Sequence, residues 1–445
     1  MSRPRLLARP GVGLVAVATL TAVATRTSGA HAQTLPDTDD CVGCHLGLSD
    51  STLVAPARDY PSDVHARAGF GCLVCHGGPR TARGELDPGA GFLAAPGRAE
   101  IPALCGRCHS DAAFMRDYNP SIRVDQVTEY YSSIHGLRLR QEGDRDVATC
   151  VSCHPAHRIL PPGDLDSSVH PLNVAELCGS CHADREIMAP RGEPFDQLAD
   201  YRRSVHGHLL YDEGDVSAPT CNDCHGNHGA APPGVSSVRN VCGECHAIMA
   251  GYFGDSEHVE VFEDAGLPGC ETCHDNHAIL PTSDAFLAER GESVCMRCHE
   301  QGDGSGEAFL DMLALIDSLR QARSTARAVL ARAENAGMEV SEPTFELEAV
   351  DNSLTKARSA VHSFHVAPVA DELEEGFDIA GEALADGLAA LDEHGFRRVG
   401  LAVSVAIILI LIVSLVLKIR ALDARLERRT PGVGPTPSPP TAEGR

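Results

Sequence analysis

The sequence predicts a mainly α-helical protein with much irregular loop. Its first two-thirds packs around something other than its own side chains, and the rest forms a helical hairpin and one C-terminal transmembrane helix. Three observations carry this. The 445 residues include 18 Cys and 22 His but no Trp and only 4% aromatic residues. That is too many thiols and too few bulky core formers for an ordinary cytosolic enzyme of this size. Beyond residue 304, apolar residues recur at helical spacing. Finally, Val399 to Leu417 is 19 residues without a charge, enough at about 1.5 Å per residue to cross a hydrocarbon core of about 30 Å.

The two ends of the chain speak about location. MSRPRLLARP carries three Arg and is followed by the apolar run GVGLVAVATLTAVA and then Ala30-His31-Ala32, the pattern of a secretory signal peptide cut before Gln33. Residues 1–32 are therefore expected to be removed and the rest exported. The formal charge is −25, from 62 acidic and 37 basic residues, and the expected leader takes away Arg3, Arg5, Arg9 and Arg26 and no acid. A surface this acidic argues against nucleic acid or anionic lipid as a partner. Around the apolar run, Lys418, Arg420, Arg425, Arg428 and Arg429 outweigh Arg397 and Arg398. The positive-inside bias places the C-terminus in the cytoplasm and the exported part outside, in the periplasm, on a single span at 397–419 of the cell inner membrane. The tail 420–445 contains TPGVGPTPSPP and reads as disordered.

Every Cys falls in a C-x-x-C pair followed at once by His: Cys41-Cys44-His45, Cys72-Cys75-His76, Cys105-Cys108-His109, Cys150-Cys153-His154, Cys178-Cys181-His182, Cys221-Cys224-His225, Cys242-Cys245-His246, Cys270-Cys273-His274 and Cys295-Cys298-His299. C-x-x-C alone suits zinc or a redox disulfide. The His after all nine pairs is the discriminator, because C-x-x-C-H is the attachment motif of c-type haem. Two thiols at this spacing form thioethers with the two vinyl groups on one haem edge, and the next residue then lies under the iron as proximal ligand. Export agrees, since attachment of this kind is assembled outside the cytoplasm.

With these motifs the chain resembles the multihaem c-type cytochromes of the paired-CxxCH kind, over residues 41 to 299. The expected cofactor is heme c, nine groups covalently bound within a domain at 33–303. One motif per about 29 residues is too little chain to enclose each macrocycle separately, so the haems are expected to stack and to replace the missing aromatic core.

Self-alignment divides the motifs into two alternating types. ATCVSCHPAH, PTCNDCHGNH and PGCETCHDNH carry a downstream His, whereas LCGRCH, LCGSCH, VCGECH and VCMRCH do not. The pairs are Cys72/Cys105, Cys150/Cys178, Cys221/Cys242 and Cys270/Cys295, with Cys41 as a leading single. Shifting residues 130–157 by 71 onto 201–228 matches 13 of 28 positions without a gap, including His135/His206, and His65 and His258 hold the corresponding upstream place in the first and last pairs. His157, His228 and His277 each follow a proximal His by three. On a helical turn they point the same way as that His, so each should ligate a neighbouring haem.

The candidate distal ligands are thus His65, His135, His157, His170, His206, His228, His258 and His277, with His208 as a ninth. His208 aligns with Leu137, and if it drops out, His362 or His365 stands in, or one haem is five-coordinate. Met115, Met188, Met249 and Met296 are ranked below the spare His, although Met ligation would raise a haem's potential.

After Gly304-Ser305-Gly306, residues Phe309, Met312, Leu313, Ile316 and Leu319 define one helix that stops at Gly337. Leu347, Val350, Leu354, Ala357, Val361 and Phe364 define a second, ending near Pro368. A third runs from Val369 through Leu391 into the membrane span. Residues 304–396 thus read as a helical hairpin or small bundle, either a spacer or also a docking face. His365 lies nearer the apolar seam of the second helix and His362 on its flank.

The leading functional reading is an electron carrier without its own substrate site, passing electrons between the quinol pool, or a membrane quinol-oxidising complex, and redox partner proteins outside. Two alternatives stay open. One is a multihaem reductase or oxidase of a small nitrogen or sulfur compound at one open haem. The other is a haem-bearing structural subunit of a membrane electron-transfer complex. No Lys lies in the haem region, so a C-x-x-C-K catalytic haem is excluded. Asp392, Glu393 and His394 mark where a quinol pocket would lie.

Overall fold

The computed structural model describes residues 38–78, 91–229, 238–287, 293–300, 302 and 304–429. The expected signal peptide and the tail from 430 onward lie outside them. All regular structure in the described residues is helical, and the helices before residue 300 are short and joined by irregular loops.

Each attachment motif is built on a helical turn, in two ways. Cys72–His76, Cys150–Cys153, Cys221–His225 and Glu271–His274 are one-turn helices that begin at or next to the first Cys. At the start of two of them the Thr149 amide donates to Ser152 Oγ at 3.1 Å and the Thr220 amide to Asp223 Oδ2 at 2.8 Å, which satisfies backbone donors that a helix start leaves open. In contrast, Thr38–Leu46, Ile101–His109 and Pro171–His182 carry their motif in the last turns, and the motifs at Cys242 and Cys295 sit on 3₁₀ turns.

Side-chain cores in this region are small, and two of them are one core repeated. Tyr130, Leu139 and Val147 cluster in one module. Tyr201, Leu210 and Ala218 occupy the positions 71 residues later and cluster with Ala175 in the next. Tyr130 donates to the Ala148 carbonyl at 2.8 Å and Tyr201 to that of Pro219 at 3.0 Å. In both modules a glycine follows the candidate ligand because nothing larger fits: a Cβ at Gly136 would lie 1.9 Å from the Tyr130 carbonyl oxygen, and one at Gly207 2.2 Å from that of Tyr201.

The large apolar core lies instead in the C-terminal part, where a helix over Gly304–Asn335, a helix over Val350–Ala360 and the long helix Val366–Arg429 form a three-helix stalk. Ile316, Leu319, Leu330, Leu347, Val350, Val369 and Leu373 are buried at its centre. Gly376 lets the long helix approach Leu319 and Ser353, and Gly387 lets it approach Val329 and Leu330. Gly337, at φ 82°, ends the first helix as expected.

The second break differs from the expectation. The chain turns at Phe364, in the left-handed region at φ 59°, and Pro368 lies inside the first turn of the next helix, where a missing N–H costs nothing. The long helix is apolar and long enough to cross a membrane. It also continues without interruption past 419 to Arg429, because ALDARLERR consists largely of good helix formers.

Candidate haem sites

Eight of the nine motif histidines face a second imidazole across a nearly constant gap. Ring centres are 5.9 Å apart for His76 and His157, 6.3 Å for His154 and His228, 5.9 Å for His225 and His277, and 6.1 Å for His274 and His362. They are 6.0 Å apart for His109 and His65, 6.1 Å for His182 and His135, 6.3 Å for His246 and His206, and 6.0 Å for His299 and His258. Two metal–imidazole bonds of about 2.0 Å plus about 1.1 Å from each nitrogen to its ring centre give about 6.2 Å. The gap is therefore the one that two axial histidines leave for an iron between them.

The eight pairs fall into two geometric classes that follow the two motif types. Where the second His comes from a downstream position the rings are near parallel, at 2°, 21°, 15° and 28° for the His76, His154, His225 and His274 sites. Where it comes from upstream they are more steeply crossed, at 84°, 59°, 38° and 64° for the His109, His182, His246 and His299 sites.

The upstream ligands share one local design. His65, His135, His206 and His258 each lie two residues after a buried residue with a side-chain oxygen: Asp63, Ser133, Ser204 and Ser256. Ser133 Oγ accepts from the Gly136 amide at 3.2 Å and Ser204 Oγ from that of Gly207 at 3.0 Å, which caps the short helix carrying the ligand.

The downstream ligands are reached by backbone clasps. Val64 donates to the Ile159 carbonyl at 2.9 Å and Val205 to that of Ile279 at 2.8 Å, and Ile159 and Ile279 lie two residues after His157 and His277. His157 itself sits at φ 70°, a conformation that a non-glycine residue holds only where its surroundings dictate it. As the spacing predicts, His157, His228 and His277 face a neighbouring site, in each case the site one pair earlier.

Burial lowers the pKa of His109, His135, His154, His157, His182, His206, His225, His228, His258, His274 and His362. This favours the neutral imidazole, the form that binds a metal. Several rings are also aimed by their second nitrogen. Nδ1 lies 2.7 Å from the Leu93 carbonyl for His76, 2.9 Å from Leu53 O for His45, 2.9 Å from the Asp63 carboxylate for His65 and 3.0 Å from Ser359 O for His362.

Consecutive motifs are also neighbours in space. The Cys105 sulfur lies beside that of Cys150, Cys178 beside Cys221, and Cys242 beside Cys270, close enough for each to perturb the other's ionisation. Cys75 and Cys105, Cys153 and Cys181, Cys224 and Cys245, and Cys273 and Cys295 lie within Coulombic reach. From Cys72 to Cys298 the sites therefore follow one another in chain order. No disulfide joins the motif cysteines, and among the described residues no three His, Cys, Asp or Glu side chains converge as a cage for a bare metal ion. The residues thus fit a wide planar group with two axial donors better than zinc or disulfides.

The remaining candidate ligands need separate placement. His208 is exposed and paired with Asp212 at 2.6 Å and Glu213 at 3.5 Å, and faces no motif histidine. His365 is likewise exposed, 3.4 Å from Glu257. It is His362, not His365, that turns inward, because the 3₁₀ turn Val361–Ser363 breaks the helical phase. His170 is buried as the N-cap of Pro171–His182, with Nδ1 accepting from the Leu172 amide at 3.3 Å. Among the described residues, no imidazole faces either His170 or His45 at the common spacing. Met115 and Met188 are buried, and Met296 packs against the stalk core.

A family model described as the doubled CXXCH motif matches residues 261–304, the last pair of motifs. No curated protein and no solved structure matches the chain. The motif match supports a multihaem c-type cytochrome with covalently bound haem, involved in electron transfer, and the C-terminal helix is compatible with a single membrane span.

Proposed function

We propose that the chain is a nine-haem cytochrome c, anchored in the inner membrane by its C-terminal helix, that carries electrons between the quinol pool or a quinol-oxidising membrane complex and redox proteins in the periplasm. The observation that carries this reading is the set of eight facing imidazole pairs, because an iron held by two histidines keeps no position for a substrate. When bound, each haem supplies a one-electron Fe(III)/Fe(II) couple, and closely spaced couples pass electrons along the series.

The chain's own residues do the rest. The Cys pairs would attach each haem to a helical turn, and at eight of the nine sites the capped and clasped histidines would hold it from both sides. The chain-order packing keeps successive sites adjacent. The acidic surface suits docking onto basic faces of partners, with rates that fall as salt rises.

A redox titration followed by EPR on the purified full chain tests the reading. Two families of low-spin signal are expected, since the angle between axial imidazole planes shapes the signal. A haem-to-protein ratio well below nine, or high-spin signals at several sites, would sink it.

The alternative of a reductase at one open haem is favoured at one place, the His45 site. His170 is our candidate for its missing ligand. If His170→Asn, which keeps a capping side chain, opens a ninth site, the electron-carrier reading gains. If the site is already high-spin in the native protein and nitrite, hydroxylamine or tetrathionate turns over faster than with free haem, the reductase reading replaces it.

A further inference from the structure

The even-numbered sites obey a lending rule: His157 serves the His76 site, His228 the His154 site and His277 the His225 site, each supplied by the next C-x-x-C-H-x-x-H. The His274 site has no such successor, since no Cys, and so no further C-x-x-C-H-x-x-H, follows Cys298 in this sequence. We propose that the stalk turn Val361–His365 takes the successor's place, with His362 as the distal ligand of the haem attached at Cys270 and Cys273 and Phe364 as the residue that positions His258 opposite His299. This inference rests on the reading of the motifs as haem sites.

The geometry of the His274 site is that of its class. Its rings lie 6.1 Å apart and 28° from parallel, as the downstream donors do and the upstream donors do not. His362 is fixed by Nδ1 on the Ser359 carbonyl at 3.0 Å. Ser363 Oγ donates to the Ala360 carbonyl at 2.7 Å and accepts from the His365 amide at 3.3 Å, which holds the turn. Two residues on, the Phe364 ring lies 3.8 Å from the His258 ring, centre to centre.

His258 needs that support. Its Nδ1 is buried without a hydrogen-bond partner among the described residues, whereas His65 and His362 are aimed through theirs. Phe364 holds a left-handed backbone at φ 59°, a strained state that persists only where neighbours dictate it. His365 extends the same contact to Glu257, beside His258, at 3.4 Å. One turn of the membrane stalk thus completes the last two sites, so ligation at the membrane end depends on the stalk being docked.

The test uses the full chain in mild detergent and compares His362→Ala, His362→Met, Phe364→Ala and His208→Ala. Haem load is measured by pyridine haemochrome, spin state by EPR and resonance Raman, and open sites by CO binding to the reduced protein. The expected result for His362→Ala is an unchanged haem load with one additional high-spin, CO-binding site. His362→Met restores six-coordination at a raised potential, and it also stands in if the alanine variant fails to fold. Phe364→Ala is expected to alter one of the steep-angle low-spin signals, and His208→Ala none.

A fully loaded His362→Ala protein with native spectra and no new CO site overturns the ligand assignment. A native EPR spectrum in Phe364→Ala overturns the positioning role. A wild-type protein without haem fails the underlying reading itself, an outcome separate from either.

Discussion

Asp63 links two haem sites through three hydrogen bonds on one buried carboxylate. Its Oδ1 accepts from the His65 amide at 2.8 Å and faces His65 Nδ1 at 2.9 Å, and its Oδ2 accepts from the Ile159 amide at 2.7 Å. The side chain is 1% exposed, so water does not replace these bonds when the carboxylate is removed. In Asp63→Ala the two backbone amides are left without acceptors, and at about 1–3 kcal/mol for each such group, the lower half of the range giving about 2–4 kcal/mol, the clasp between His65 and His157 is weakened substantially. At about 1.4 kcal/mol per factor of ten, that corresponds to about 30- to 700-fold more frequent local opening.

Hydrogen exchange read by mass spectrometry on the segment around Ile159 measures this directly, and Asp63→Asn, which keeps one acceptor oxygen, is expected to fall between. Burial alone would raise the Asp63 pKa, but the hydrogen bonds from His65 and Ile159 outweigh it and hold the group below the usual carboxylate range. The contribution is therefore fully present above the ordinary Asp value and is lost as pH falls through the lower folded value. A carboxylate hydrogen-bonded to the second nitrogen of a ligating imidazole strengthens its donation to a metal, so both variants should raise the potential at the His109 site. Unchanged protection around Ile159 in Asp63→Ala would refute the reasoning.

Three further outcomes follow from other contacts. Gly207→Ala places a Cβ 2.2 Å from the Tyr201 carbonyl oxygen, so it should cost about 1–3 kcal/mol and displace His206. Gly163→Ala, with nothing within 4 Å, serves as the control, and equal thermal midpoints for the two would contradict the packing argument. His208→Ala should change stability by less than about 0.5 kcal/mol and leave spin states untouched; a new high-spin signal would show that it is a ligand. Asp284 accepts from Arg358 at 2.8 and 3.0 Å, and that bond holds its pKa below the usual value. Stalk docking should thus weaken only as pH falls below the ordinary carboxylate range, read by limited proteolysis, and an identical acid profile in Asp284→Asn would count against it.

The C-x-x-C-H motifs were legible in the sequence because such a motif is local: both thiols and the following His lie within five residues. The repeat made most of the partners legible too, since His135 and His206 keep their register over a gap-free shift of 71 residues. The mismatch of His208 with Leu137 was also a usable signal, and the structure agrees that this side chain faces solvent. The sequence offered two stand-ins, His362 and His365, and could not choose between them. His362 lies far beyond the last motif, and a helical projection puts His365 nearer the apolar seam. The projection fails because Val361–Ser363 tightens to a 3₁₀ turn and Phe364 then adopts φ 59°, which rotates everything after residue 360 out of the helical phase. The long apolar helix, and its run from Val369 through Leu391 into the apolar segment, were legible in the sequence, but its start at Val366 was not, because a proline near the start of a helix and a proline that ends one look alike in sequence, nor was its extension past 419 to Arg429.

The lending rule also explains why the chain needs a stalk that is more than a spacer. In an array where each module completes its predecessor, the last module is always left incomplete, and arrays of this kind require a distinct terminal unit. A soluble cap could fill that role, but here the cap is also the element that leads into the membrane span. Arg358 and Arg320 reach Asp284 from two stalk helices, Tyr252 reaches Glu372 at 3.4 Å, and Leu287 is buried in the stalk core. Phe286, in the same turn as Asp284 and Leu287, stacks on the His274 ring with centres 5.7 Å apart, so on the proposed reading the last sites of the series are the ones whose geometry depends on the stalk. A change in stalk packing would therefore be felt first at the membrane end of the series, and the potentials of those two haems are where such coupling should be sought.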